Sequence, residues 1–179
     1  AYQPDLRWGY RNYSELRLLD IKNGQERHLT HKTKYFSPDF SADGQQIVAV
    51  NSEPDGKCEI VILSAADGKV LNTVPNPNKL FFTYPKFYGT DKLVSTVRDK
   101  DGKMSVATVD IKTGKATNLL HAGYNPVGFP FVKKDTIFFS GTFGKQDRLF
   151  ALTSKNTLFL LNNDSLQHTI GNYQPALNN

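Results

Sequence analysis

Apolar residues along the chain fall in short runs broken every eight to twelve residues by turn chemistry, and no stretch sustains a 3.6-residue period. That pattern predicts strands and almost no helix. One set of strands is expected over 37–40, 47–51, 59–63 and Val70–Val74. Between them lie Ser41-Ala42-Asp43-Gly44, Glu53-Pro54-Asp55-Gly56 and Ala66-Asp67-Gly68, where Gly and Asp tolerate the positive φ of tight hairpins. The same plan predicts strands over 85–88, 93–97, 105–110 and 116–119, and again over 130–132, 137–140, 148–152 and 158–161.

The plan recurs because the sequence does. Ser37-Pro38-Asp39-Phe40, Tyr84-Pro85-Lys86-Phe87, Phe129-Pro130-Phe131-Val132 and Gln174-Pro175-Ala176-Leu177 place their prolines 47, 45 and 45 residues apart. Leu18 to Gly24, Val61 to Gly68 and Thr108 to Gly114 repeat a strand that runs into a glycine turn, and Phe150 to Asn156 keeps the turn without the glycine. A unit of about 46 residues with four short antiparallel strands is the blade of a β-propeller. One small twisted sheet cannot cover both of its faces, whereas blades stacked around an axis cover one another. The fold class expected is therefore all-β, a propeller of about four blades and a partial one. Aromatic residues such as Phe36, Phe82, Phe87 and Phe139 are expected as packing between blades.

The division that follows is 1–33 as an incomplete blade, then blades at 34–78, 79–125 and 126–173, with 174–179 starting a further blade or closing the ring. Within the incomplete blade, 6–10, 15–20 and 26–29 read as second, third and fourth strands. Two arrangements stay open: a piece cut from a longer propeller, or a four-bladed ring closed by pairing of 174–177 with 6–10. Closure would remove exposed sheet edges.

The stretch Phe36-Ser37-Pro38-Asp39-Phe40-Ser41-Ala42-Asp43-Gly44, followed by the apolar run Ile47 to Val50, resembles the repeat of TolB-like propellers. In that family a Ser-Pro-Asp-Gly turn leads into an apolar strand, and here Ala42 stands where the second proline is usual. The resemblance implies an exported protein of the bacterial periplasm or cell surface that binds other envelope proteins. The same repeats form non-catalytic propellers of prolyl-oligopeptidase-type peptidases, so the alternative it implies is an accessory propeller of a larger hydrolase. Neither reading brings catalytic residues, since fold does not fix function.

Charge narrows the partners. The 22 Lys and Arg against 17 Asp and Glu give a net charge of +5 spread along the whole chain, which reads as a solvated basic surface rather than a nucleic-acid footprint. No apolar run reaches the length of a membrane span, and residues 1–6 lack a basic-then-apolar export pattern. A single cysteine, Cys58, excludes an internal disulfide and, in an alternating strand, reads as a packed thiol.

The catalytic inventory is thin, and no cofactor, metal or catalytic residue is expected. Ser140-Gly141-Thr142-Phe143-Gly144 lacks the glycine a nucleophile elbow needs before its serine. His28 and His31 at a strand end are expected on opposite faces, as surface histidines. Asp99-Lys100-Asp101-Gly102-Lys103 has the alternate carboxylates of a calcium loop but not its length, so a hairpin turn is expected. A third reading, a carbohydrate-processing propeller enzyme, would need clustered carboxylates or metal-binding histidines in the channel, and the sequence shows no such cluster.

What remains is a protein-binding surface. Residues 6–13 gather Trp8, Arg7, Arg11 and two tyrosines, the types that dominate binding hot spots. The segments that lead into successive blades, 32–36, 78–82 and 121–125, would ring one mouth of the channel. That places Lys34, Tyr35, Lys79 and Tyr124, with Trp8, as the candidate partner-binding residues. The partner expected is a protein of the cell envelope.

Overall fold

The structure, a computed structural model, describes residues 2–3, 13–143 and 146–161. The described residues form strands only, arranged as three four-stranded antiparallel sheets and two short pairs. The first blade contains β1 (Tyr2–Gln3), β2 (Tyr13–Ser14), β3 (Arg17–Leu19) and β4 (Glu26–His28). The second holds β5 (Tyr35–Phe40), β6 (Gln46–Ser52), β7 (Cys58–Ser64) and β8 (Val70–Val74). The third holds β9 (Phe81–Tyr88), β10 (Lys92–Arg98), β11 (Met104–Asp110) and β12 (Ala116–Asn118). The fourth holds β13 (Val127–Lys133), β14 (Thr136–Phe143), β15 (Gln146–Leu152) and β16 (Leu158–Leu160). In each complete blade the strands pair in simple sequence order, as a meander.

Alternation explains why these sheets stack. In β6, Ile47 and Ala49 pack toward the first blade while Val48 and Val50 pack toward the third. In the third blade Leu93 and Val97 face back to the second, and Val94 and Val106 face on to Ile137 and Phe139 of the fourth. Both faces of the middle strands are apolar because each has a neighbour to cover, a pattern expected of sheets buried on both sides.

The proline repeat has a structural cause. In every complete blade the innermost strand carries a bulge opposite its neighbour, between Phe36 and Asp39, opposite Val94 to Thr96, and between Gly128 and Phe131. The residue before each proline takes a left-handed φ: Ser37 at 51°, Tyr84 at 52° and Phe129 at 51°. Such a φ is uncommon outside glycine, and the bulge leaves the proline, which has no N–H, out of the ladder. The innermost strands therefore begin at Tyr35, Phe81 and Val127, two to four residues before the starts expected at 37, 85 and 130. Proline marks the middle of the strand and not its first residue.

The first blade departs most from expectation. Its strand β1 pairs with β2, Tyr2 opposite Ser14 and Gln3 opposite Tyr13, and Ser14 exchanges backbone hydrogen bonds with Thr33 at 2.7 and 3.0 Å. Residues 13–19 thus act as one interrupted third strand, with 26–33 as the fourth. The strand expected at 6–10 and the one expected at 174–177 lie outside the described residues.

Candidate binding face

Each segment that leads into a blade lies beside the hairpin joining second and third strands, and this builds one rim of the molecule. The Ser52 N–H donates to the Lys34 carbonyl at 3.5 Å, tying the first lead-in to hairpin 53–57. Asn76 fastens the next lead-in to the same hairpin from the other side: its Nδ2 donates to the carbonyls of Cys58 and Leu80, both at 2.8 Å, and its Oδ1 accepts the Leu80 N–H at 2.9 Å. Met104 and Gly123 exchange backbone hydrogen bonds at 2.7 and 3.1 Å, joining the third lead-in to hairpin 99–103. Within that hairpin the Asp99 carboxylate accepts the N–H groups of Asp101 and Lys103, both at 2.9 Å, which uses it as a turn cap.

The rim residues expected from sequence are not gathered at one point. Lys34 holds its ammonium 5.3 Å from the centre of the Tyr13 ring, and with Tyr35, Asn51 and Glu53 it lines a cleft of about 240 Å³. Lys79 lies on the far side of hairpin 53–57, in a cleft of about 410 Å³ with Asp55, Lys57, Glu59 and Asn76. Tyr124 stands 73% exposed within the third lead-in. Trp8 lies outside the described residues. Tyr35 is half-buried against the core around Ile47, and burial, with the Glu53 charge, pushes its phenol above the usual range. Lys57 is held charged by its hydrogen bond to Glu59, at 2.9 Å. The face is thus mixed in charge, with Lys34 beside Tyr13 and Tyr35 in one cleft and Lys57 and Lys79 among carboxylates in another.

Two arrangements were not legible from residue types alone. The first strands of successive blades are joined by an ion pair, Lys86 Nζ to Asp39 Oδ1 at 2.8 Å, and by a ring contact between Tyr84 and Phe129 with centroids 4.6 Å apart. Burial raises the Asp39 carboxyl above the usual carboxylate range in spite of Lys86. Asp39 and Lys86 each follow the repeat proline, and Tyr84 and Phe129 each precede it, so the repeat phase was the signal that pairs them.

The other arrangement corrects the reading of the histidines. His28 Nδ1 lies 3.2 Å and His31 Nδ1 2.8 Å from the two oxygens of one buried carboxylate, Glu15, with Arg17 at 3.3 Å. Strand β4 ends at His28 and the backbone bends at His31 and Lys32, so His31 leaves the pleat and reaches the same carboxylate as His28. Burial pulls the Glu15 carboxyl up, but the hydrogen bonds from His31 and Arg17 and the charges of both histidines outweigh it and hold it low. Among the described residues no group of three or more His, Cys, Asp or Glu side chains is arranged to hold a metal ion. Cys58 is buried, accepts the Phe82 N–H at 3.3 Å, and has its thiol pushed up by burial.

No family model matches the sequence, and no curated protein does. Solved structures do match. TolB from Acinetobacter baumannii superposes with a TM-score of 0.66 at 14% identity, over 84% of this chain and 38% of its own. The fold is that of the TolB-like β-propeller. The same TolB-like fold is matched in the β-propeller domain of the Trilobed protease from Pyrococcus furiosus, at TM-score 0.52 and 14% identity, over 89% of this chain and 51% of that one. Acylaminoacyl peptidase from Pyrococcus horikoshii matches at TM-score 0.58 and 11% identity, over 90% of this chain and 30% of its own. The chain therefore spans about half or less of the TolB-like and peptidase chains it resembles. At these identities the likeness concerns the fold.

Proposed function

We propose that this chain is a non-enzymatic protein-binding or scaffold module of an exported bacterial protein, acting in the periplasm or at the cell surface. The observation that carries the reading is the rim: on a TolB-like propeller, successive lead-in segments and hairpins present Lys34 in a cleft of about 240 Å³, Lys79 in one of about 410 Å³, and Tyr124 as an exposed ring. Separate clefts of mixed charge suit side chains of a protein surface better than one small substrate, which needs a single concave site with convergent groups. The partner is an envelope protein. Alanine at Lys34, Lys79 and Tyr124 together should weaken capture of that partner at least tenfold while leaving the melting temperature in place. Unchanged capture overturns the reading. Tyr35 is kept out of this variant because it packs on the core.

A second reading has its own support, the likeness to propellers of peptidases. On it the chain is an accessory propeller that gates or binds substrate for a catalytic domain elsewhere in a longer protein. A hydrolase or zinc-peptidase segment downstream in the parent gene favours this second reading.

A further inference from the structure

Six residues before the repeat proline, two successive lead-ins carry the same residue in the same backbone conformation. Lys32 precedes Pro38 and Lys79 precedes Pro85 by that interval, and their φ angles are 49° and 50°. A left-handed φ is uncommon outside glycine and strains a residue that carries a side chain. In the hairpins of the second and third blades it falls to glycine every time, at Gly44, Gly56, Gly68, Gly89, Gly102 and Gly114. Glycine would relieve the strain at 32 and 79 as well, so what these two places gain from lysine lies in its side chain.

Neither ammonium serves the fold. Both lysines are exposed, and among the described residues neither side chain has a hydrogen-bond or ionic partner. The carboxylates around them are already engaged. Asp55 Oδ1 accepts the Lys57 N–H at 2.9 Å, Glu59 Oε1 pairs with Lys57 Nζ at 2.9 Å, and Glu53 Oε1 accepts an N–H of the Asn51 side chain at 3.0 Å. The two lysines line the clefts on either side of hairpin 53–57, Lys32 the one of about 240 Å³ and Lys79 the one of about 410 Å³. Every residue lining the larger cleft belongs to the second blade or to the segment leading into the third. Its turn is held firmly: the Lys79 N–H donates to the Asn76 carbonyl at 3.1 Å, and the Asn76 side chain makes three further hydrogen bonds. At the tip of the hairpin a Cβ on Gly56 would meet nothing within 4 Å, so an extended chain has room to cross there.

We propose that Lys32 and Lys79 read carboxylates, and that one extended acidic segment of the protein partner crosses hairpin 53–57 with a Glu or Asp side chain in each cleft. This rests on the protein-binding reading above and narrows it to an acidic partner. Charge complementarity decides the choice of occupant: the chain carries a net charge of +5, and the free cations in both clefts call for an anion. A lysine meets it as a point charge with three rotatable donors, which suits a mobile acidic side chain. Lys79 is the stronger anchor, because Asn76 has already fixed its backbone. Both pairs are exposed, so affinity falls as salt rises.

The test uses the whole 179-residue chain and a synthetic peptide of alternating glutamate and serine, with a peptide of alternating glutamine and serine as control. In an NMR titration the acidic peptide should shift the amides of Lys32, Gly56 and Lys79 saturably, and the control should bind at least tenfold more weakly. Lys79→Asn removes the charge and accepts a left-handed φ. It should weaken the acidic peptide at least threefold with no fall in melting temperature, and Lys79→Arg should restore binding. Lys112→Asn, at an exposed lysine in the turn after β11, should leave binding unchanged. Equal binding of the two peptides overturns the proposal. So does an equal loss in the Lys79 and Lys112 variants, which makes overall charge the attraction. Neither result touches the protein-binding reading, which the triple alanine variant tests on its own.

Discussion

The junction between second and third blades and the junction between first and second are built from the same repeat, and they differ in cover. At the former, Val48, Ile60 and Val74 meet Phe82, Leu93 and Val109 in a core closed on every side, and the Phe82 N–H is taken by the buried Cys58 sulfur. At the latter, Leu16 and Leu29 pack on Ile47, Val61 and Leu63, but Pro38 and Phe40 stay exposed beside them. Polar contacts make up part of the deficit: Arg27 reaches across to the carbonyls of Ala65 and Ala66, and Glu15 collects Arg17 and two histidines. Burial in this fold therefore depends less on which residue the repeat supplies than on whether a neighbouring blade is present to cover it.

The sharpest break of that comparison sets two leucines at one repeat position against each other. Leu63→Ala should cost about 2–5 kcal/mol, as for a buried leucine, and Leu19→Ala should stay within about 0.5 kcal/mol, both read from urea unfolding. Equal costs would mean the first blade is as closed as the second. Glycine gives the next test. A Cβ on Gly114 would sit 1.8 Å from the Pro75 carbonyl oxygen and one on Gly68 2.1 Å from that of Leu29, whereas one on Gly24 meets nothing within 4 Å. All three have φ near +70°. Alanine at Gly24 should thus cost only the left-handed strain, about 1–2 kcal/mol. Alanine at Gly68 or Gly114 should cost about 1–3 kcal/mol more, from overpacking against the preceding blade.

Acid should expose the polar compensation of the first blade. The folded pKa of Glu15 lies below its unfolded value, so its contribution is present above the usual carboxylate range and is lost as pH falls through the folded value. Glu15→Gln should accordingly differ from the parent most at neutral pH, with the gap closing toward low pH in thermal melts. In the second blade Asp67, held at about 2 by Lys69, Ser64 and the turn backbone, should keep its contribution to lower pH. The smallest effect concerns the ion pair between β5 and β9: Lys86→Met should raise the already elevated Asp39 pKa further, in a carboxyl NMR titration, because burial then acts without its counter-charge.

The blade plan was readable from sequence because hairpins of this size are set locally, by Asp and Gly at turns and by alternation in strands. The prolines at 38, 85 and 130 gave the period but misplaced the strand starts, since a left-handed residue before proline inside a strand is a tertiary choice. The rim could be placed at the right loops, but not its partition into two clefts, which depends on how Asn76 pins the second lead-in to hairpin 53–57. Glu15 escaped notice because its partners His28 and His31 are 13 and 16 residues away and meet it only across the β3–β4 turn.

Cover by neighbours is the central claim, and amide exchange in the unliganded chain tests it most directly. Arg17 and Leu19 should exchange at least a hundredfold faster than Val61 and Leu63, which occupy the same places in the second blade and are paired on both sides. Equal protection at the two pairs of amides would contradict it.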